Sequence, residues 1–297
     1  MSNANQSDKI EVKNEKTCDC SKNTLNCLNG KEWVRSQIGV WEFEYEERDF
    51  EAKDNHPAVF PIALPKKVIN LFTHKGELVI DPFVGAGSTL VAAQDTQRNA
   101  IGFDLKKDYV DYANQRLNQK SFKDYEESTK QKAICDNALN IPDYLEKNSV
   151  QLSVTSPPYA NMLDRKMKNK SRRGDKRKNE NYLENLQYSD KKDDLGTMEV
   201  EDYIDELKNI YENLFPAMRK KSHVVINVND LWTDENRRIL IPSNIIEALE
   251  DIGYVFKNII IWDRRNIINN VGIFGYPSNY ITMGTTFEYI LHFEVRK

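Results

Sequence analysis

The 297-residue chain lacks the features of membrane, secreted and disulfide-built proteins. No stretch approaches the roughly 20 consecutive apolar residues that a membrane-spanning helix needs. The first 16 residues are polar, without an apolar core and a small-residue cleavage site, so we expect no secretory signal. The chain is also too long to be a disulfide-built scaffold. We therefore expect a cytoplasmic protein of one large domain or two small ones, without membrane contact.

Cysteine is scarce, with only four in the chain, and three of them lie together near the amino terminus. Cys18, Cys20 and Cys27 could bind zinc, but their spacing is not Cys-x2-Cys, and no further candidate ligand follows until His56. We therefore favour unligated reduced thiols and predict no metal site. Cys135 fits no nucleophile motif and is expected to be a core residue.

The chain has no excess of basic residues: 42 Lys and Arg stand against 46 Asp and Glu, a formal net charge of −4. This total argues against a nucleic-acid partner, because phosphate binding usually leaves a basic footprint. However, residues 162–178 carry nine basic and two acidic side chains, a local charge of +7 that leaves −11 on the remainder. This segment is either a solvated loop or a phosphate-binding surface.

The chain divides into a polar arm and a folded region. Residues 1–32 have almost no apolar periodicity and are predicted to be a flexible arm, whereas residues 33–297 are predicted to form one domain. Alternating apolar and acidic residues at 40–45 predict a short half-buried strand. Further strands are predicted at residues 78–80, 100–103, 133–135, 150–155, 223–228, 254–262 and 287–295. Helices are predicted at residues 64–72, 88–93, 109–117, 200–218 and 245–249. This alternation indicates an α/β protein whose mostly parallel sheet is covered on both faces.

A glycine-rich turn follows the first buried strand. The segment DPFVGAGST, residues 81–89, contains Gly85 and Gly87, which have no Cβ to obstruct a ligand at the carboxyl end of a strand. No Gly-Lys-Ser/Thr follows, so the lysine that reaches phosphates in a P-loop is absent. The glycine pair forms either a purely structural tight turn or part of a nucleotide site.

The second and third buried strands also end in polar residues. Asp104 follows the glycines at the distance from which an acid binds ribose hydroxyls in nucleotide-binding sheets. It could equally cap the next helix. Asp136 and Asn137 end the third strand at the same rim, where open α/β sheets bind ligands.

The pentapeptide TSPPY, residues 155–159, follows the fourth of these strands. Pro157 and Pro158 fix their own φ and donate no backbone hydrogen bond, so their carbonyls can face a cleft. Ser156 and a proline carbonyl could accept hydrogen bonds from a planar exocyclic amine, while Tyr159 stacks on the base. The alternative is a simple strand terminator.

Together these motifs resemble the S-adenosylmethionine-dependent amino-methyltransferases of DNA, which methylate cytosine N4 or adenine N6. DPFVGAGSTL resembles motif I of that family, IGFDL motif II, CDNAL motif III and TSPPY the catalytic motif IV. HPAVFPIALPKKVI, residues 56–69, resembles motif X, which lies over the methionine end of the cofactor. GYVFKNIIIWD and FEYILHF resemble the last strands. The resemblance extends over residues 33–297.

The resemblance implies a Rossmann-like methyltransferase fold: a mostly parallel seven-stranded sheet with an antiparallel last strand and helices on both faces. It also implies S-adenosylmethionine as cofactor, no metal, and a target base that swings out of the duplex into the cleft. The implied catalytic residues are Ser156, Pro157, Pro158 and Tyr159. The implied cofactor-binding residues are His56, Pro57, Phe60, Asp81, Pro82, Phe83, Gly85, Gly87, Ser88, Thr89, Asp104, Asp136 and Asn137.

The first residue of motif IV bears on the target base. In the family, Ser at this position favours cytosine N4, and Asp or Asn favours adenine N6, so we expect cytosine N4. Adenine N6 is the alternative. Methylation of RNA or of a protein glutamine, and a non-catalytic DNA- or cofactor-binding regulator, are further alternatives.

The motif order X, I, II, III, IV departs from the commonest arrangement of SPPY enzymes, in which the catalytic motif precedes the cofactor motifs. A separate carboxyl-terminal target-recognition domain is also missing from the pattern. We therefore expect the basic insertion at residues 160–198 to contact double-stranded DNA, and a cognate restriction endonuclease as a possible partner. The candidate phosphate-binding residues are Arg165, Lys166, Arg172, Arg173, Lys176, Arg177 and Lys178.

Overall fold

The fold is taken from a computed structural model that describes residues 15–21, 24, 26–53, 56, 59–118, 129–158, 194–232, 238–267 and 285–297. The predictions for Pro57, for Tyr159 and for most of the basic insertion, including its seven candidate DNA-binding residues, lie outside the described residues. Within the described part of the chain, no helix is both long and apolar enough to cross a membrane.

In the described residues, ten strands form one large sheet and one small one. The strands are β1 Val40–Glu42, β2 Leu78–Asp81, β3 Asn99–Asp104, β4 Gln131–Cys135, β5 Val150–Thr155, β6 Met218–Val228, β7 Leu231–Trp232, β8 Arg238–Ile239, β9 Tyr254–Asp263 and β10 Phe287–Val295. The large sheet has eight strands in the order β1-β9-β10-β6-β5-β2-β3-β4, and β7 pairs with β8. Strand β10 is antiparallel to both of its neighbours, whereas the other pairs in the large sheet are parallel.

Seven α-helices accompany the strands in the described residues. They are α1 Gly30–Ser36, α2 Glu47–Lys53, α3 Ala63–Phe72, α4 Ser88–Asp95, α5 Lys107–Asn118, α6 Val200–Leu214 and α7 Ile241–Ile252. The described residues also include short 3-10 helices at Ala138–Asp143 and Leu195–Thr197. The mostly parallel sheet with an antiparallel last strand confirms the predicted α/β architecture. The eighth strand is β1, which pairs in parallel with β9 at one side of the sheet.

The helices cover both faces of the sheet. Alternation along β2 sends Val79 to the face packed by α3, α4 and α5, and Ile80 to the face packed by α6 and α7. Burying apolar residues on both faces explains why these strands are short, nearly continuous hydrophobic runs. Each face is therefore an apolar layer, and the polar residues of the motifs are left at the strand ends.

Two local predictions were wrong. The helix predicted to reach residue 218 ends at Leu214, and Met218 instead begins β6 and pairs with Val150. Pro216 has no N–H to continue the helical hydrogen bonds, although the apolar sequence runs on past it. Cys135 is exposed rather than buried, because it ends β4, which has a partner strand on one side only.

The described part of the amino-terminal segment contacts the domain. Thr17 donates its backbone N–H to the carbonyl of Lys75 at 2.9 Å, and Asn26 Nδ2 donates to the carbonyl of Leu71 at 2.8 Å. Asn29 caps α1 together with Glu32 in a reciprocal capping box. The first helix therefore begins three residues before the predicted boundary at Trp33.

Candidate active site

A cleft opens at the carboxyl ends of β2, β3, β4 and β5. The cleft lies where parallel α/β sheets bind ligands, because the loops that leave the strands separate there. The predicted site residues that line it are His56, Phe60, Pro82, Phe83, Gly85, Ser88, Asp104, Asp136, Asn137, Ser156, Pro157 and Pro158.

The turn between β2 and α4 requires glycine at two positions. Gly85 and Gly87 have φ values of +47° and +84°, which other residues rarely adopt. A Cβ on Gly85 would lie 2.8 Å from His56 Nε2, and one on Gly87 would lie 2.8 Å from the Cβ of Ala113. The turn therefore brings bare backbone to the cleft on one side and packs tightly against α5 on the other.

Asp81 lies beneath the cleft rather than in its lining. Its carboxylate is buried and accepts hydrogen bonds from Thr155 Oγ1 and Thr89 Oγ1, each at 2.5 Å, and from the backbone N–H of Phe83 at 3.1 Å. Burial raises the pKa of this carboxyl to about 6, although the three donors lower it. Asp81 therefore organises the turn and the strand ends, and Thr89 acts with it rather than lining the cleft.

Asp104 lines the cleft at the end of β3. Its Oδ2 accepts the backbone N–H of Gly85 at 3.1 Å, and its Oδ1 accepts that of Lys106 at 2.8 Å. Desolvation raises the pKa of the Asp104 carboxyl to about 6. A carboxylate has about four lone-pair positions, so two acceptor positions are left for hydroxyl donors in the cleft.

Asp136 and Asn137 are largely engaged with their own loop. Asp136 accepts hydrogen bonds from Asn140 Nδ2 at 2.9 Å and from the Tyr144 hydroxyl at 2.7 Å. The Asn137 side chain accepts the backbone N–H of Leu139 and caps the 3-10 helix Ala138–Asp143. These bonds fix the shape of the cleft wall after β4.

Ser156 begins the segment that follows β5. Asn227 Nδ2, at the end of β6, lies 3.4 Å from Ser156 Oγ and 2.6 Å from Glu288 Oε2. Glu288 is in turn ion-paired with Arg264. A chain of polar contacts therefore runs from the Ser156 hydroxyl to β10 and to the residue that follows β9.

Aromatic side chains form one wall of the cleft. The ring of His56 lies 4.3 Å from that of Tyr109, measured between centroids, and Tyr109 is almost fully buried. Tyr109 was not predicted from the sequence, because its spacing in α5 is that of an ordinary core position. It lies five residues after Asp104, and that proximity was the one available signal.

Asp194 is a further cleft residue that was not predicted from the sequence. It lines the cleft, is 4% exposed, and its Oδ1 accepts the backbone N–H of Gly196 at 2.8 Å. Its Oδ2 has no hydrogen-bond partner among the described residues. A buried carboxylate oxygen without a donor is costly, so this atom is suited to accept a hydrogen bond from a ligand. Its sequence position, about 40 residues after TSPPY, gives no motif from which to predict it.

Comparison with known proteins shows a family match over most of the chain. The family described as "DNA methylase" matches residues 2–115 and 150–297. Type II methyltransferase M.BglI of Bacillus subtilis is 36% identical over 93 residues, 31% of this chain and 26% of that protein. Type II methyltransferase M.HpaI of Haemophilus parainfluenzae is 31% identical over 103 residues, 35% of this chain and 32% of that protein. The chain thus aligns with about a quarter to a third of the length of these two relatives.

Among solved structures, TrmN from Thermus thermophilus matches with a TM-score of 0.50 and 12% sequence identity. The match covers 84% of this chain and 52% of that chain. At this identity the likeness concerns the fold alone, and it agrees with the Rossmann-like architecture of the large sheet.

Proposed function

This chain belongs to the DNA methylase family, and from that premise we propose that it transfers a methyl group from S-adenosylmethionine to an exocyclic amine of double-stranded DNA, with cytosine N4 as the target. One observation carries the proposal. The glycine turn, Asp104 and the Ser156-Pro157-Pro158 segment, which are far apart in the sequence, line a single cleft. The type II methyltransferases among its relatives support DNA as the substrate.

The residues at one end of the cleft fit S-adenosylmethionine. Gly85 keeps its backbone open beside His56, and the two remaining acceptor positions of Asp104 suit the two ribose hydroxyls. We assign to the same ligand a hydrogen bond with Asp194 Oδ2, which has no partner among the described residues, because Asp194 lines the same cleft as Asp104 and Tyr109. When bound, the cofactor supplies an electrophilic methyl group on a sulfonium.

The residues at the other end fit a planar amine. An exocyclic amine is a poor nucleophile because its lone pair is delocalised into the ring. Hydrogen bonds from that amine to Ser156 Oγ and to the Pro157 carbonyl would localise the lone pair on nitrogen. Asn227 holds the Ser156 hydroxyl in place, so catalysis in this proposal rests on positioning and electrostatics rather than on a covalent intermediate.

Two parts of the proposal rest on residues outside the described structure. Tyr159 would stack on the flipped base, which helps to offset a few kcal/mol of unstacking. The basic residues between 165 and 178 would bind phosphates and position the duplex. The net charge of +7 on residues 162–178, which follow the catalytic segment in the sequence, supports this role.

The test is transfer of label from methyl-tritiated S-adenosylmethionine to DNA, RNA or protein. We expect label in double-stranded DNA, and we expect the Ser156→Ala variant to transfer at least about 100-fold more slowly while still binding the cofactor. Label entering only RNA or only protein would overturn DNA as the substrate. Full activity in Ser156→Ala would overturn the role of the hydroxyl.

A further inference from the structure

Three cysteines and one histidine lie together near the amino end of β2, on the side of the sheet opposite to the cleft. Cys18, Cys20, Cys27 and His74 each present one ligand atom, and these four atoms lie within 4.8 Å of one another. Since His74 lies between α3 and the start of β2, the cluster adjoins the amino end of β2, whereas the cleft adjoins its carboxyl end.

The two nitrogen-to-sulfur distances at His74 match those of a tetrahedral metal site. His74 Nδ1 lies 3.3 Å from Cys18 Sγ and 3.6 Å from Cys27 Sγ. Zinc bonds of about 2.3 Å to sulfur and 2.0 Å to nitrogen place neighbouring S and N ligands about 3.5 Å apart in a tetrahedron. The four atoms could therefore bind one ion with little rearrangement.

The histidine is already oriented as a ligand. His74 Nε2 is in hydrogen-bond contact with the backbone carbonyl of Thr24, and a carbonyl can only accept, so Nε2 carries the proton. In the neutral ring, Nδ1 then has its lone pair free on the side of the thiols. In zinc-ligating histidines, the ring nitrogen that does not bind the metal typically donates a hydrogen bond to a carbonyl, as Nε2 does here.

The surrounding backbone holds the ligands in place from both sides. The backbone N–H of His74 donates to Glu77 Oε2 at 2.6 Å, and Thr17, next to Cys18, donates to the carbonyl of Lys75 at 2.9 Å. Asn26, next to Cys27, donates to the carbonyl of Leu71. The two segments are thus joined by hydrogen bonds on each side of the cluster.

The site also has a charge partner. Zinc with three thiolates and a neutral histidine carries a net charge of −1. Arg98 is 2% exposed, and its guanidinium donates to the hydroxyl and the carbonyl of Thr73, the residue before His74. A buried cation needs a compensating charge nearby, and the metal–thiolate centre would supply it.

We propose that Cys18, Cys20, Cys27 and His74 bind one Zn²⁺ as a structural site that fastens the amino-terminal segment to the α3–β2 connection. Three sulfur ligands and one imidazole, with no position left for water, are the donor set of closed structural zinc sites. The proposal departs from the expectation of unligated thiols. His74 was not considered as the fourth ligand, because it is 47 residues from Cys27 in the sequence and becomes its neighbour only through the fold.

The first test is the metal content of the full-length protein, purified without chelators from zinc-supplemented cells. We expect about one zinc per chain, retained through gel filtration, as for other structural sites. Replacement of the metal by Co²⁺ should give the visible absorption of a tetrahedral cobalt–thiolate centre. A protein without zinc above background, or a mass that shows a disulfide among these cysteines, would overturn the proposal.

Variants give a matched comparison. Cys18→Ser and Cys27→Ser should lose the zinc, whereas Cys135→Ser, at an exposed cysteine outside the cluster, should retain it. In the wild-type protein, Cys135 should react rapidly with a thiol reagent, and the other three only after chelation. Equal zinc content in all three variants, or equal reactivity of all four thiols in the wild-type protein, would overturn the site. None of these readouts depends on methyl transfer, so the zinc site and the proposed function fail or stand separately.

Discussion

Asp81 and Thr155 join the two strand ends that bear the proposed chemistry. Asp81 Oδ1 accepts a hydrogen bond from the hydroxyl of Thr155, the residue directly before Ser156, at 2.5 Å. Asp81 Oδ2 accepts one from the hydroxyl of Thr89 in α4 at the same distance. One buried carboxylate therefore sets the glycine turn and the Ser156 segment relative to each other. A change in either should be transmitted to the other through this group.

Replacing Asp81 with Ala should destabilise the protein and impair both ends of the cleft. The change leaves two buried hydroxyls and one backbone N–H without their acceptor, so we expect a loss of about 2 kcal/mol or more in the free energy of unfolding. The measurement is urea unfolding followed by circular dichroism. Asp251→Ala is the control, since its carboxylate is exposed and pairs with Lys208 at the surface, and its loss should stay below about 0.5 kcal/mol. Equal losses in the two variants would contradict the role of Asp81.

Replacing Asp104 with Asn should weaken cofactor binding. Hydrogen bonds to a charged group contribute about 1.5–3 kcal/mol, so we expect the Kd for S-adenosylmethionine to rise about 10- to 100-fold. Isothermal titration calorimetry at pH 7.5 measures this directly. Asp136→Asn is the comparison, because the Asp136 carboxylate is engaged by its own loop. Its effect on the Kd should be smaller.

The pKa of Asp104 also predicts how cofactor binding depends on pH. The pKa is raised to about 6, so the carboxylate is ionised and a full acceptor above that pH. As the pH falls from 7 to 5, protonation removes an acceptor, and the Kd for S-adenosylmethionine should rise. In Asp104→Asn this rise should be smaller than in the wild-type protein. A wild-type Kd that stays constant from pH 7 to pH 5 would contradict the assignment of Asp104 to the ribose hydroxyls.

Asn227 is predicted to act through Ser156 as a positioning residue. Asn227→Ala removes the donor that holds the Ser156 hydroxyl, so we expect kcat to fall about 10-fold, or about 1.4 kcal/mol in the barrier, with little change in the KM for the cofactor. Steady-state kinetics separates the two parameters. Asn209→Ala is the control, because Asn209 is exposed and bonds only to Glu206 of its own helix among the described residues. A loss of cofactor affinity equal to the loss of kcat in Asn227→Ala would indicate a merely structural role.

A buried histidine pair predicts a loss of stability in acid. His223 Nδ1 and His292 Nε2 lie 3.0 Å apart, and burial lowers their pKa values to about 4 and about 3. In the unfolded chain the same histidines have pKa values near 6.5, so they take up protons there before they do in the folded protein. The contribution of the neutral pair to stability is therefore complete above pH 6.5 and is lost as the pH falls towards 4. At pH 5 the loss is of the order of 2 kcal/mol for each histidine.

The test of the histidine pair compares the wild-type protein with His292→Asn, with Tm measured from pH 7.5 to pH 5. The comparison is needed because Asp81 and Asp104, whose pKa values are raised, take up protons on folding in this range and so favour the folded state as the pH falls. We expect the Tm of the wild-type protein to fall more steeply than that of the variant. Identical slopes would contradict a titrating pair.

The sheet and most of its helices could be predicted from the sequence, because strands buried on both faces are short apolar runs. β5 and β10 have the predicted bounds. The end of α6 was misplaced because apolar residues continue past Pro216 into β6. Hydrophobicity alone therefore does not mark where the helix ends and the strand begins. Cys135 was misplaced because its burial depends on the order of the strands, which local sequence does not specify.

The cleft was predictable where glycine, acid and proline motifs coincide with strand ends. It was not predictable where a contributor comes from elsewhere in the chain. Asp194 reaches the cleft from beyond the basic insertion, and Asn227 reaches Ser156 because β5 and β6 are neighbours in the sheet. His74 likewise meets the three cysteines only through the packing of the amino-terminal segment. These contacts follow from tertiary structure rather than from sequence spacing.

The most direct measurement is the mass-spectrometric analysis of nucleosides from DNA of cells that express the protein and have no N4-cytosine methylation of their own. We predict N4-methylcytosine in cells with the wild-type protein and none in cells with the Ser156→Ala variant. An increase in N6-methyladenine without any N4-methylcytosine would contradict the assigned base. The absence of both modified bases, with a folded protein that binds S-adenosylmethionine, would contradict DNA methylation itself.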